Sequence, residues 1–126
     1  MGTATVDLTQ ENFKSVVDKD GIVIIDWWAP WCGPCRAFAP TFEAMAMKYP
    51  DITFGKVNTE QEQGLAQSFE IRSIPTVMVV RDQVVLFAQP GSLPEAALED
   101  IIRQVRALDM TVIKAQLAAE QQKTSA

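Results

Sequence analysis

Hydrophobic residues follow two rhythms along this chain. Short apolar runs alternate with stretches in which apolar positions recur every three or four residues, the patterns of buried strands and amphipathic helices. Ile22-Val23-Ile24-Ile25-Asp26-Trp27-Trp28 is continuous rather than alternating, which predicts a central strand covered on both faces. Residues 4–8 and 52–58 read as further strands, and residues 76–80 and 84–88 as a pair around a turn at Asp82-Gln83. Thr9 is a good N-cap, with Asn12 in the place of the Glu of a full capping box, and the helix it starts carries Phe13, Val16 and Val17 at helical spacing before Asp20-Gly21 ends it. A second helix runs from Cys35 to Tyr49-Pro50, and Pro40 inside it predicts a kink. A short helix over 62–69 follows. Another starts at Pro94, with Leu98, Ile101, Ile102, Val105 and Leu108 as its stripe. The predicted order, βαβαβαββα, implies a mixed sheet flanked by helices.

The stretch 109–122 is rich in helix formers and holds neither Gly nor Pro. Asp109 is a candidate N-cap, and Met110, Ile113 and Leu117 share one face, so a break near 108–110 and a separate helix are expected. The expectation is that this face folds back on its own domain; the rival reading docks it on a second chain or a partner. Residues 123–126 read as a frayed end. The chain therefore divides into a domain over 1–108 and a helical extension over 109–126.

At 126 residues, 48% hydrophobic and 21% charged, the chain is of single-domain size and ordinary globular composition. A net charge of −5 argues against nucleic acid and against an anionic membrane surface. The first residues, Met1-Gly2-Thr3-Ala4-Thr5-Val6-Asp7, have no basic or apolar secretory pattern and do not complete a myristoylation motif. No apolar run reaches membrane-spanning length. These features read as cytoplasmic.

The chemistry concentrates in Trp31-Cys32-Gly33-Pro34-Cys35, which holds both cysteines of the chain. A crosslink closing so short a loop removes little chain entropy, so the pair reads as a bond that is made and broken rather than a staple. Zinc takes about four ligands, and there is no His and no second cysteine pair to supply them. The cysteines sit at a strand-to-helix junction with Cys32 at the helix N-terminus, where unpaired N–H groups and the helix dipole favour a thiolate.

The run Asp26-Trp27-Trp28-Ala29-Pro30-Trp31-Cys32-Gly33-Pro34-Cys35-Arg36 resembles the active site of the thioredoxin family, and Ile71-Arg72-Ser73-Ile74-Pro75-Thr76 resembles its second signature. Pro40, Lys56 and Gly91 also fall where that family has its kink proline, its lysine and its late glycine. The similarity spans about residues 4–108. Arg36 stands where Lys is commoner, Trp27 where Phe is, and Asp82-Gln83 where a glycine-containing turn is usual. The resemblance implies an α/β thioredoxin fold with a mixed central sheet, here with an extra C-terminal helix. It implies a monomeric protein disulfide reductase of cell redox homeostasis and electron transport. Such a protein is recharged by thioredoxin reductase and acts on disulfide-containing client proteins. No metal and no cofactor are implied beyond the Cys32–Cys35 disulfide itself.

By the same resemblance Cys32 is the nucleophile and Cys35 the resolving thiol. Asp26, an acid inside an apolar run, is the candidate proton acceptor, because burial would raise its pKa into the useful range; the plainer possibility is an acid facing solvent at a strand end. Lys56 on the next strand is its candidate partner. Pro75 is expected cis, leaving Ile74 N–H and C=O free to pair with an extended client segment. Trp28 is assigned to packing and Trp31 to the exposed surface. Gly33, Pro34, Ile74, Pro75, Gly91, Ser92 and Leu93 would complete a docking rim. Gly-Pro between the cysteines, with no His, resembles the reducing members of the superfamily. Two other readings share the fold: a donor dedicated to one client, and a non-enzymatic interaction module.

Overall fold

The structure is a computed structural model that describes residues 4–124, with side chains as far as Gln122. The signal and myristoylation reading falls partly on Met1–Thr3, and that of a frayed end partly on Ser125–Ala126, outside the described residues. The elements are β1 (Val6–Asp7), α1 (Phe13–Val17), β2 (Ile22–Trp28), α2 (Gly33–Lys48), β3 (Thr53–Asn58), α3 (Gln63–Ser68), β4 (Thr76–Arg81), β5 (Val84–Pro90), α4 (Glu95–Ala107) and α5 (Met110–Thr124). They form one five-stranded sheet in the order β1-β3-β2-β4-β5. The first three lie parallel, and β4 runs antiparallel to both β2 and β5.

Each face of the sheet carries its own core. Ile24 from β2 and Val77 and Val79 from β4 pack with Phe38, Phe42 and Met45 of α2 and Leu98, Ile102 and Val105 of α4. The alternate residues Val23, Ile25 and Trp27 face α1 and α3, against Phe13, Val17 and Leu65. The apolar run of β2 is thus explained: both faces are covered, and each fully buried aliphatic or aromatic side chain stabilises the fold by about 1.5–3 kcal/mol. Phe42 meets Phe54 edge to face at 5.3 Å. Gly55 of β3 admits Leu8: a Cβ there would lie 2.5 Å from a Leu8 methyl and 2.9 Å from its Cγ.

Local chemistry sets the element ends. Thr9 and Asn12 form a reciprocal pair, Thr9 N–H to Asn12 Oδ1 at 2.7 Å and Asn12 N–H to Thr9 Oγ1 at 3.4 Å, leading into α1. The Asp82-Gln83 turn takes positive φ at both positions, 51° and 69°, as a tight hairpin between right-twisted strands requires. Neither residue is glycine, and contacts to the 18–21 loop hold the turn. Asp82 accepts the Gly21 N–H at 2.8 Å, and Gln83 donates to Asp18 O at 3.2 Å. The register shifts between Val79 and Val80, leaving Leu86 as an extra residue in β5, and both Leu86 and Phe87 pack against the α4-side core.

At the C-terminal end of α4, where carbonyls run short of intrahelical donors, the Arg81 guanidinium donates to the carbonyl of Val105 at 2.6 Å, which also accepts the Leu108 N–H at 3.3 Å, and to that of Leu108 at 3.1 Å. Asp109 Oδ1 then accepts the Thr111 N–H at 3.0 Å and opens α5. The helix break lies where the sequence places it. The expected face docks on its own domain only at its start: Met110 is buried and Ile113 half-buried, but Leu117 is 38% exposed.

Candidate active site

The active-site loop leaves the C-terminal end of β2 and turns into α2. Cys32 is the N-cap of α2, in extended conformation, and its sulfur accepts the Cys35 N–H at 3.2 Å. Gly33 and Pro34 form the exposed first turn, where a proline without an N–H leaves no bond unmade. Cys32 and Cys35 are joined by a disulfide with their Cα atoms 5.2 Å apart. Cys35, one turn into the helix, is the more buried of the two, at 1% exposed against 5%. Ala29 packs with the pair in a small cluster, and Trp28 and Ile74 lie against it. Trp28 therefore packs on the cysteines as expected, while Trp31 stands 67% exposed.

Two contacts fix the approach to Cys32. The Thr59 N–H and hydroxyl both donate to the Trp28 carbonyl, at 2.8 and 3.0 Å. Arg36 reaches back along the helix to donate to the Pro30 carbonyl at 3.1 Å. The sequence gives no sign of either, because both acceptors are backbone groups brought near by the turn.

Asp26 follows Ile24 and precedes Trp28 on the same face of β2, the face covered by α2. It is wholly buried, and neither carboxylate oxygen has a hydrogen-bond partner among the described residues. Burial pushes its pKa up to about 7, against the opposing pull of Lys56. The structure thus puts Asp26 in the interior rather than at a solvent-facing strand end. Lys56 pairs with Asp26 in the β2–β3 register, and its ammonium lies 4.6 Å from the centre of the Trp28 ring. The half-buried lysine acts on Asp26 through space rather than through a hydrogen bond.

The second signature lies opposite the cysteines. The Ile74–Pro75 peptide is cis. The Ile74 carbonyl is 3.9 Å from Cys32 Sγ, and no hydrogen bond occupies the Ile74 N–H among the described residues. Thr76, also buried, donates its hydroxyl to the Ser73 carbonyl at 2.7 Å, and the Gly91 N–H donates to the Pro75 carbonyl at 2.7 Å. Gly91 adopts φ 100°, which glycine takes without strain, and open space lies where its Cβ would be. Gly91 and Ser92 are exposed; Leu93 is half-buried and packs toward the α4-side core, so it offers the rim less than the sequence suggests. No helix is long and apolar enough to cross a membrane, and no metal-binding cluster occurs, among the described residues.

Comparison with known proteins agrees with this geometry. The family model described as Thioredoxin matches residues 4–104. The chain is 55% identical over 119 residues to "Putative thioredoxin 2" of Streptomyces coelicolor, covering 94% of this chain and 89% of that protein. It is 36% identical to thioredoxin 1 of Nostoc, over 81% of this chain and 97% of the relative. A chain solved in a study of the thiol resolving mechanism in yeast mitochondrial 1-Cys peroxiredoxin via glutathione/thioredoxin systems superposes with a TM-score of 0.74. At 24% identity, over 82% of this chain and 99% of that one, it is a likeness of fold.

Proposed function

We propose that Cys32 is the attacking sulfur of this chain, which belongs to the thioredoxin family and is a protein disulfide reductase working by dithiol–disulfide exchange. In the reduced protein the Cys32 thiolate attacks one sulfur of a client disulfide. A Cys32–client bond forms and the other client sulfur leaves as a thiolate. The Cys35 thiol then gives its proton to the Asp26 carboxylate and attacks Cys32 Sγ. The mixed disulfide breaks, the second client thiolate leaves, and two electrons have passed to the client. The observation that carries this reading is the Cys32–Cys35 pair at the N-cap of α2, on the sheet face that holds a buried, unpartnered carboxylate near neutral pKa. Lys56 limits the rise of that pKa.

Clients dock on Trp31, Gly33, Pro34, Ile74, Pro75, Gly91, Ser92 and Leu93, with the Ile74 peptide pairing to an extended client segment. A thioredoxin reductase returns the electrons, the cytoplasm is the site of action, and the protein works as a monomer without another cofactor. Turnover of insulin and of a second, unrelated protein disulfide, driven by a thioredoxin reductase, tests the reading. Reduction of both supports a general reductase, reduction of only one points to a dedicated donor, and full function in Cys32→Ser removes the exchange role altogether.

A further inference from the structure

Three consecutive carbonyls, those of Ser73, Ile74 and Pro75, form the loop that faces Cys32, and two of them are tied down. The Thr76 hydroxyl holds Ser73 O at 2.7 Å, and the Gly91 N–H holds Pro75 O at 2.7 Å. The middle one, Ile74 O, remains open, 3.9 Å from Cys32 Sγ. Thr76 is 5% exposed and lies at the start of β4, paired with Trp27 of β2 and Pro90 of β5. Its hydroxyl therefore sits on a rigid strand and has one carbonyl to satisfy. The Gly91 bond comes from the chain beyond β5. The loop is thus fastened to the sheet on both sides of the one peptide left open.

We propose that the Thr76 hydroxyl is a positioning and specificity element for protein clients, holding the Ile74 peptide in the orientation that pairs with a client backbone beside Cys32. This rests on the reading that clients dock on Ile74. A client strand pairs well only if the acceptor and donor are already aimed; a loop free to swing loses that preorganisation when it binds. A small disulfide makes no backbone pairing and does not depend on the loop. Thr76 thus acts through Ile74, and its loss should raise KM for protein disulfides rather than lower kcat.

The variants Thr76→Ser and Thr76→Ala both lack the γ-methyl and differ only in the hydroxyl; Thr76→Val keeps the shape and removes the hydroxyl. Each is assayed on reduced insulin formation and on 5,5′-dithiobis(2-nitrobenzoate), with circular dichroism as the check on folding. Loss of one intramolecular hydrogen bond corresponds to about a two- to tenfold change in an equilibrium. The ratio of kcat/KM for insulin to that for the small disulfide should fall by that factor in Thr76→Ala and Thr76→Val, through KM, and stay near wild type in Thr76→Ser. If Thr76→Val does not fold, the Ser/Ala pair decides alone. Equal ratios in Ser and Ala, or a fall carried by kcat, overturn the proposal. Hydrogen exchange at Ile74 in a mixed disulfide between a client peptide and Cys35→Ser protein, which lacks the resolving thiol, separates the two layers. A protected amide with equal Ser and Ala ratios rejects the Thr76 role alone, while an unprotected amide rejects docking on Ile74 and the proposal with it.

Discussion

In the proposed mechanism the two sulfurs and the carboxylate carry the chemistry, and each can be interrogated separately. Asp26 binds a proton more tightly in the folded protein than in the unfolded chain. Its cost to stability is absent below the ordinary carboxylate range, grows as the pH rises, and is complete above about 7. Asp26→Asn should therefore stabilise the protein by about 2–4 kcal/mol near pH 9, with the gain vanishing near pH 4. Urea unfolding across that range checks the slope, and a gain independent of pH would mean that ionisation is not its source. If Asp26 takes the Cys35 proton as proposed, the same variant should slow release of the client from the mixed disulfide. In the reduced protein, iodoacetamide at neutral pH should label Cys32 first, since that sulfur receives the Cys35 N–H at the helix start. Mass mapping that finds Cys35 labelled first reverses the two roles. Cys32, Cys35 and Asp26 are legible in the sequence because residue identity and short spacing define them. Thr76 and Arg36 are not, since their partners are carbonyls and any residue supplies a carbonyl.

Element identity was also legible, because periodicity reports which faces are buried; element ends depend on pairing the sequence does not display. β1 shrinks from the expected 4–8 to Val6–Asp7, the two residues in register with Gly55 and Lys56 of β3. α2 begins at Gly33, two residues before the expected Cys35, because Cys32 itself supplies the cap. The Arg81 clamp had no sequence signal at all, yet it joins β4 to the α4–α5 junction. Arg81→Met keeps the aliphatic stem and removes the donors, and should cost about 1–2 kcal/mol. Chemical denaturation measures that loss, and faster amide exchange in the first turn of α5 should accompany it; an unchanged midpoint would show that water satisfies these carbonyls equally well. The expected apolar face of α5 is real as a pattern. Helical spacing states which residues share a side, not whether anything lies opposite them, and here only Met110 is buried.

At the scale of the molecule, alternation of strands and helices followed by a hairpin and a covering helix identified the sheet, since each connection must return across a face. The same scale decides what the extension contributes. None of the described side chains from Lys114 onward is buried. Deleting residues 114–126 should leave the unfolding free energy within about 0.5 kcal/mol of the full chain, as exposed changes usually do. Deleting from 109 also removes buried Met110 and should cost more; equal effects of the two truncations would contradict the burial pattern. The irregularity in β5 reaches beyond packing. An outer strand with a regular row of free amides and carbonyls is a template for pairing with another molecule, the first step of aggregation. The extra Leu86 interrupts that row and Pro90 ends it without an amide hydrogen, while the opposite border of the sheet, β1, is two residues long. The residue that helps close the α4-side core thus also breaks up the flat border, beside the exposed Val85, that another copy would need to join.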